Sequence, residues 1–346
     1  FNLRYHYVAG NVPADGPCES CTDCVVNGAA CSTGCSWWGC WQWDQLPPGR
    51  FVADFVEETI AAGAVPMITY YIWFSVAGNI EGAAEVARLN EPDRLSAWLS
   101  DFEFLCRVMA ENPSPAILHI EPDLWGYGHQ VNADPEQIPV ALSEAAVPEC
   151  SGLPSTLSGL ARCLLAIARA TAPNLLIAFH ASGWGTGMDA LNNSNPEFDM
   201  GGHARETAAF FRALGADQAD LIASDMSDRD AGFNGRWWDE TNATLPHFIQ
   251  ANGWVKALVD DLRLPHLWWM VPYGHMGLDD QCDRYRDNRV DYFFDHPEEF
   301  AATGSLGIAF GPGATCMTTA ESDGGNFRDR AADYYGGEQS LLCGSR

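Results

Sequence analysis

Seven short apolar segments along this chain alternate with longer segments whose apolar residues have helical spacing. The strands predicted from them are Leu3–Ala9, Val65–Phe74, a strand beginning at Ile117, Asn174–His180, Asp220–Asp225, His266–Tyr273 and Ser305–Phe310. The predicted helices are Pro47–Ala62, Glu91–Glu111, Ser155–Ala170, Ala204–Leu214, Leu245–Leu262 and Arg284–Ala302. Such alternation is typical of parallel strands joined by right-handed crossovers. We therefore predict an α/β fold, a single distorted TIM-like barrel of seven parallel strands, with one domain over residues 1–346.

The third of these strands belongs to a stretch from Ile117 to Gln130 that reads ILHIEPDLWGYGHQ. Its apolar run breaks at Glu121-Pro122-Asp123 and is followed by two aromatic and two glycine residues. This pattern predicts a buried strand that ends in an open loop bearing carboxylates. Since chemistry in parallel α/β folds is built at the carboxyl ends of strands, this loop is our first candidate site.

The charge of the chain limits its partners. A formal net charge of −27, with Lys256 as the only lysine, disfavours nucleic acid and anionic lipid, which need basic residues. No apolar run reaches 18 residues, so we expect no membrane span. The sequence begins at Phe1, so we expect no signal peptide and a mature chain. Neutral ligands are therefore the expected partners. The 13 tryptophans, 10 tyrosines and 17 phenylalanines favour sugars, which bind to exposed rings.

Twelve cysteines indicate an oxidising location and therefore a secreted protein. Six of them lie between Cys18 and Cys40, in a predicted loop insertion rich in Cys and Trp over residues 10–46. We favour disulfides there over a zinc or cluster site, and the pairing is open. Cys106 and Cys163 lie in predicted helices, where we expect buried thiols.

Four strand ends together resemble glycoside hydrolase family 6, the inverting cellulases with a distorted barrel of seven strands. Ile120–Leu124 (IEPDL) is similar to the family's IEPDSL stretch, whose Asp is the general acid. The other three similar segments are His180–Gly185, Leu221–Trp237 and Phe310–Gly325. The resemblance implies a cellulase with Asp123 as acid, and a disulfide that includes Cys316 in the last loop.

The chain also departs from that family. Ile72–Val76 replaces its LPDRD run, so the second aspartate that tunes the acid is missing. Gly311 and Thr315-Cys316-Met317 replace the family's Lys and Glu-Cys-Asp, which removes the proposed base. Asp225 stands where the family has Asn. We therefore expect a divergent member or a distant relative.

Hydrolysis of a glycosidic bond needs a protonated carboxyl and usually a second carboxylate. Asp123 is the candidate acid, unless Glu-Pro-Asp is simply a turn that anchors the loop. Glu121 is expected to serve as a hydrogen-bonding residue more than as a catalyst. Asp225, Glu321 and Asp323 are the candidate bases. Asp228 and Asp230 are expected to be solvated charges or partners of arginines.

Residues at or just beyond the predicted strand ends are candidates for binding sugars. The possible stacking platforms are Tyr70, Tyr71, Trp125, Trp184 and Trp237, with core packing as the alternative. His180, Asn234 and His275 could hydrogen-bond sugar hydroxyls. We expect no metal and no cofactor, because the histidines lack the spacing of ligands. The sequence thus predicts a secreted, monomeric, inverting β-1,4-glucan hydrolase. A carbohydrate-binding protein on a degenerate hydrolase barrel and a hydrolase of another neutral polysaccharide are the alternatives.

Overall fold

The computed structural model describes residues 3–10, 12, 41–42 and 47–337. Nearly all of the predicted insertion over residues 10–46, including its six cysteines, lies outside these described residues. So does Cys343. None of the helices in the described ranges combines the length and apolar composition that crossing a membrane requires.

The strands form one parallel sheet of seven in the sequential order β1 to β7, with β1 and β7 at its two ends. They are β1 (Leu3–Ala9), β2 (Val65–Tyr71), β3 (Ala116–Ile120), β4 (Leu175–His180), β5 (Leu221–Asp225), β6 (His266–Val271) and β7 (Ser305–Phe310). The predicted α/β, TIM-like fold with seven parallel strands is confirmed. By chain contacts the molecule divides into two compact units.

The first unit comprises Phe1–Ala181 and Ala209–Leu221 and contains β1 to β4. All five residues of β3 are buried, as is usual for a parallel strand covered on both faces. Thr156 is the N-cap of the helix over Leu157–Thr171, because its side-chain oxygen accepts a hydrogen bond from Gly159 N at 3.2 Å. The helices are α1 (Arg50–Ala61), α2 (Trp73–Val76), α3 (Ala83–Ala87), α4 (Pro92–Ala110), α5 (Leu124–Val131) and α6 (Leu157–Thr171).

The second unit comprises Ser182–Ala208 and Ile222–Arg346 and contains β6, β7 and most of β5. The β6–β7 pairing contains irregularities in register, and all six residues of β6 are buried. Helix α7 (Met200–Leu214) contributes residues to both units. The remaining helices are α8 (Ala231–Asn234), α9 (Phe248–Leu262), α10 (Arg289–Asp295), α11 (Pro297–Ala301) and α12 (Asn326–Gly336).

Two predictions near β2 and β3 were wrong. The strand predicted to reach Phe74 ends at Tyr71, because the next two backbone N–H groups, of Ile72 and Trp73, donate to the Glu121 carboxylate instead of continuing the sheet. The open loop predicted after Asp123 is helix α5, which begins at Leu124. Likewise the single helix predicted over Arg284–Ala302 is two, since α11 starts at a proline, which cannot continue the preceding helix.

Two disulfides join described cysteines. Cys282 pairs with Cys316, so the expected bridge that includes Cys316 is confirmed. Cys163 pairs with Cys150, which corrects the expectation of a buried thiol there. Cys106 is a buried free cysteine, as expected.

Candidate active site

Glu121 is the most constrained residue at the end of β3. Its φ of 45° is left-handed, a conformation that costs a non-glycine residue about 1–3 kcal/mol and that clusters at functional sites. The side chain is fully buried. Its Oε1 accepts three hydrogen bonds, from Ile72 N at 3.1 Å, Trp73 N at 2.9 Å and the Trp98 indole at 3.1 Å.

The other oxygen of Glu121, Oε2, is buried without a hydrogen-bond partner. Three donors on one oxygen and none on the other fit a neutral carboxyl group, in which Oε1 is the carbonyl oxygen. Burial raises the pKa of Glu121 to about 8, and the charge of Asp123 raises it further, although the three donors oppose both effects. Glu121 therefore holds a proton at neutral pH.

Asp123 lies two residues further on and is partly exposed. The hydroxyl of Tyr71, at the end of β2, donates to its Oδ2 at 2.8 Å. The Tyr71 ring stacks on Phe74, with centroids 5.9 Å apart. Burial and then Asp123 hold the pKa of Tyr71 far above its usual range, so the phenol stays protonated and orients the aspartate.

Glu85, on α3, joins this acidic cluster, which we define as Glu81, Glu85, Glu121 and Asp123. Glu85 is 1% exposed, and neither of its carboxyl oxygens has a hydrogen-bond partner. Burial raises its pKa to about 9, with further contributions from Glu121, Asp123 and Glu81. The fourth member, Glu81, is exposed, and the hydroxyl of Tyr127 hydrogen-bonds it.

Two of the predicted sugar platforms are core residues. Tyr70 and Trp125 are fully buried and present no face to a ligand. The Tyr70 hydroxyl donates to Asp101 at 2.8 Å, and the Trp125 indole donates to the Ile120 carbonyl at 2.9 Å. Their polar atoms thus brace the carboxyl end of the sheet, and the prediction that they bind sugar was wrong.

His180 is also buried, at 1% exposure, and lies at the end of β4. Its Nδ1 is 3.2 Å from His119 Nε2, and His119 Nδ1 is 3.2 Å from the hydroxyl of Thr69. Burial and then His180 lower the pKa of His119 well below its usual value, so this ring is neutral. The three side chains form a hydrogen-bonded row across β2, β3 and β4.

The candidate bases lie in the second unit and differ in environment. Asp225 is half-buried at the end of β5. Glu321 is exposed. Asp323 is fully buried and accepts hydrogen bonds from Gly325 N at 2.8 Å and Phe327 N at 2.6 Å, so it caps the start of α12. Both of its oxygens therefore hold the closing loop.

Asp230 is another carboxylate of the second unit. The expectation that it is a solvated charge was wrong, because it is fully buried. It accepts hydrogen bonds from Gly274 N at 3.1 Å and Thr318 N at 2.9 Å, and so ties together the loops after β5, β6 and β7. Burial and then Asp287 raise its pKa to about 7. Asp287 in turn pairs with the fully buried Arg289 at 2.7 Å.

The remaining predicted sugar ligands of the second unit are more accessible. Trp184 and His275 are half-buried, and Asn234 is exposed. Trp237 is half-buried, and the Arg286 guanidinium lies 5.6 Å from its ring centre. The one group of described residues with ligand atoms spaced for a metal is Cys282, Asp283 and Cys316, but the two cysteines are joined in a disulfide.

Several of these residues could not be identified from the sequence. Glu85 lies away from any strand end, in a segment without apolar periodicity, and Asp101 lies in the middle of a helix. Burial raises the pKa of Asp101 to about 6, although hydrogen bonds from Tyr70, Gln42 and Trp41, all distant in sequence, oppose the rise. Only the packing of the elements brings these groups together, so no local pattern could have identified them.

Comparison with solved structures finds carbohydrate-active enzymes with low similarity. The Cellulomonas fimi endo-β-1,4-mannanase double mutant is 12% identical with a TM-score of 0.45, covering 85% of this chain and 58% of that one. The catalytic domain of the Bacillus sp. JAMB-750 GH26 endo-β-1,4-mannanase is 10% identical with a TM-score of 0.47, covering 87% and 75%. A GH5-4 broad specificity endoglucanase from an uncultured bacterium is 13% identical with a TM-score of 0.41, covering 83% and 75%.

All three TM-scores lie below 0.5, so the fold assignment rests on the strand order described above. This chain spans little more than half the length of the two Cellulomonas fimi mannanase structures. No family model and no curated protein matches the sequence. The resemblance to glycoside hydrolase family 6 was wrong: no model of that family matches, and the solved structures named here belong to GH26 and GH5.

Proposed function

We propose that this protein is a glycoside hydrolase in which Asp123 is the carboxyl group that reaches the substrate. The observation that carries the proposal is its placement at the carboxyl end of β3. There Asp123 is partly exposed and oriented by Tyr71, whereas Glu85 and Glu121 beside it are buried. Carboxyl ends of parallel strands are where α/β enzymes build their sites.

In the proposed reaction, Asp123 gives its proton to the glycosidic oxygen as the bond to the anomeric carbon breaks. A water molecule attacks that carbon from the opposite face, and a second carboxylate takes its proton, which inverts the anomeric configuration. Asp225 is the candidate for this second group. Asp323 is a poorer candidate because its oxygens already accept hydrogen bonds at the start of α12. Glu321 is also a poorer candidate because its side chain is exposed to solvent.

The proposed substrate is a neutral β-1,4-linked polysaccharide, with glucan as the first choice. A net charge of −27 repels anionic polymers, and the partly exposed rings of Tyr71, Trp184 and Trp237 suit the apolar faces of pyranoses. The solved structures named above include mannanases, so β-1,4-mannan is the second polymer to test. We further propose that the protein is secreted and monomeric.

A carbohydrate-binding protein without turnover is the second candidate, favoured by the structural use of Asp323. Incubation with cello- and manno-oligosaccharides, followed by proton NMR of the anomeric signals, separates the two. An initial α-product from a β-linkage supports inversion, and an initial β-product refutes inversion. Binding without any product would favour the second candidate.

A further inference from the structure

The acidic cluster contains one carboxyl group that the proposed mechanism does not use, Glu85. Its helix α3 packs against α5, which begins directly after Asp123. The main-chain carbonyl oxygen of Glu85 accepts a hydrogen bond at 3.2 Å from the indole N–H of Trp73. The backbone N–H of Trp73 donates to Glu121. Trp73, which is fully buried, therefore links α3 to the carboxyl group of Glu121.

No cation among the described residues contributes to the pKa shift of Glu85, since Arg88, which follows α3, pairs with Glu91. The titratable groups that act on or respond to Glu85 are carboxyls and phenols. They are Glu81 before α3, Glu121 and Asp123 after β3, Tyr71 on β2 and Tyr127 on α5. No ion pair forms with Glu85 among the described residues, and its carboxyl oxygens are buried without hydrogen bonds. An unpaired carboxylate in such a place costs several kcal/mol, so the group takes up a proton instead.

We propose that Glu85 is a positioning residue, a buried carboxyl that is uncharged at neutral pH and so limits the negative charge beside Asp123 while the reaction proceeds. This inference rests on the proposed function for its meaning, but it makes a claim about Glu85 that does not require turnover. When Glu85 is neutral, both buried carboxyl groups beside Asp123, those of Glu85 and Glu121, carry no charge. Proton transfer at Asp123 then takes place beside two buried carboxyl groups that carry no charge.

An ionised Glu85 would work against this arrangement. A second negative charge next to Asp123 repels the negative charge that develops there when the proton leaves. We therefore expect the alkaline limb of the activity profile to contain the ionisation of Glu85, in addition to that of Glu121. Glu85→Gln keeps the volume and neutrality of the side chain and removes only the second ionisation.

The test is carbon NMR of protein labelled at the glutamate side-chain carboxyls, titrated between acid and alkaline pH. The wild type should show a carboxyl signal with a midpoint near pH 9, and Glu85→Gln should lose that signal. Glu58→Gln, which removes an exposed carboxyl on α1, serves as the matched control and should keep it. Glu121 should give a separate signal with a midpoint near pH 8 that remains in Glu85→Gln. Persistence of the signal near pH 9 in Glu85→Gln, or its absence from the wild type, would overturn the proposal.

A second variant keeps Glu85 intact in case Glu85→Gln does not fold. Because the charge of Glu121 contributes to the alkaline midpoint of Glu85, Glu121→Gln should shift that midpoint to lower pH. An unchanged midpoint would contradict the placement of Glu85 beside Glu121 and would overturn the proposal. Where turnover is found, kcat/KM of Glu85→Gln should fall less steeply above pH 9 than that of the wild type, whereas a purely structural role would leave the shape of the profile unchanged. If no oligosaccharide is cleaved but the NMR results hold, the proposed function fails and the protonation of Glu85 stands.

Discussion

Replacing Glu121 with glutamine should lower the free energy of unfolding at acid pH but raise it, compared with the wild type, above pH 8. In the folded state the pKa of Glu121 is about 8, compared with 4.5 in an unfolded chain, mainly because of burial. Between these values the carboxyl is protonated in the folded state and ionised in the unfolded state. The unfolded state then binds fewer protons, so the free energy of unfolding falls with rising pH between 4.5 and about 8 and levels off above.

The size of this effect follows from the two pKa values. One pKa unit corresponds to about 1.4 kcal/mol, so the rise from 4.5 to about 8 amounts to roughly 5 kcal/mol above pH 8. Glutamine can still accept the three N–H bonds but places an amide group at the Oε2 position, which costs about 1–3 kcal/mol at every pH. We expect Glu121→Gln to be the less stable protein at acid pH and the more stable one above pH 8.

Urea denaturation of both proteins at several pH values, with disulfides intact, measures the difference. Glu58→Gln controls for the loss of one negative charge, because Glu58 is exposed on α1. A difference between Glu121→Gln and wild type that stays constant from acid to alkaline pH would refute the neutral carboxyl at this position.

Three further changes test other parts of the structure. Tyr71→Phe removes the hydroxyl that orients the proposed acid; kcat/KM should fall about tenfold in initial-rate assays, and an unchanged value would mean the bond is dispensable. Arg289→Met leaves the buried Asp287 carboxylate unpaired and should lower the free energy of unfolding by about 3–5 kcal/mol in urea, whereas a small loss would contradict the buried pair. Replacing Cys150 and Cys163 with alanine opens a loop with a sequence separation of 13 and should cost about 3 kcal/mol by the same assay; no loss would argue against the bridge.

The strand pattern could be predicted from the sequence because it depends on local periodicity. The limits of β1 and β7 agree with prediction residue for residue, and apolar runs between helical segments specified the parallel order. Prediction failed where a long-range contact overrides the local pattern. Residues Ile72 to Phe74 read as strand, but two of their N–H groups are taken by Glu121, almost fifty residues away.

The candidate site was only partly predictable for the same reason. Asp123 follows a buried strand, so its position at a strand end could be inferred from order along the chain. The neutrality of Glu85 and Glu121 comes mainly from burial, and no cation among the described residues offsets it. Only packing in three dimensions determines both conditions. The aromatic residues divide similarly: Tyr70 and Trp125 read as exposed rings near strand ends, yet both are sealed in the core.

The central claim is that Asp123 takes part directly in breaking a glycosidic bond. Its most direct test is the rate of cleavage of a β-1,4-linked oligosaccharide by wild type and Asp123→Asn, with binding of the same ligand measured by calorimetry. We expect the substitution to lower kcat by a factor of about 100 or more while the dissociation constant changes little. Cleavage at an unchanged rate by Asp123→Asn would contradict it.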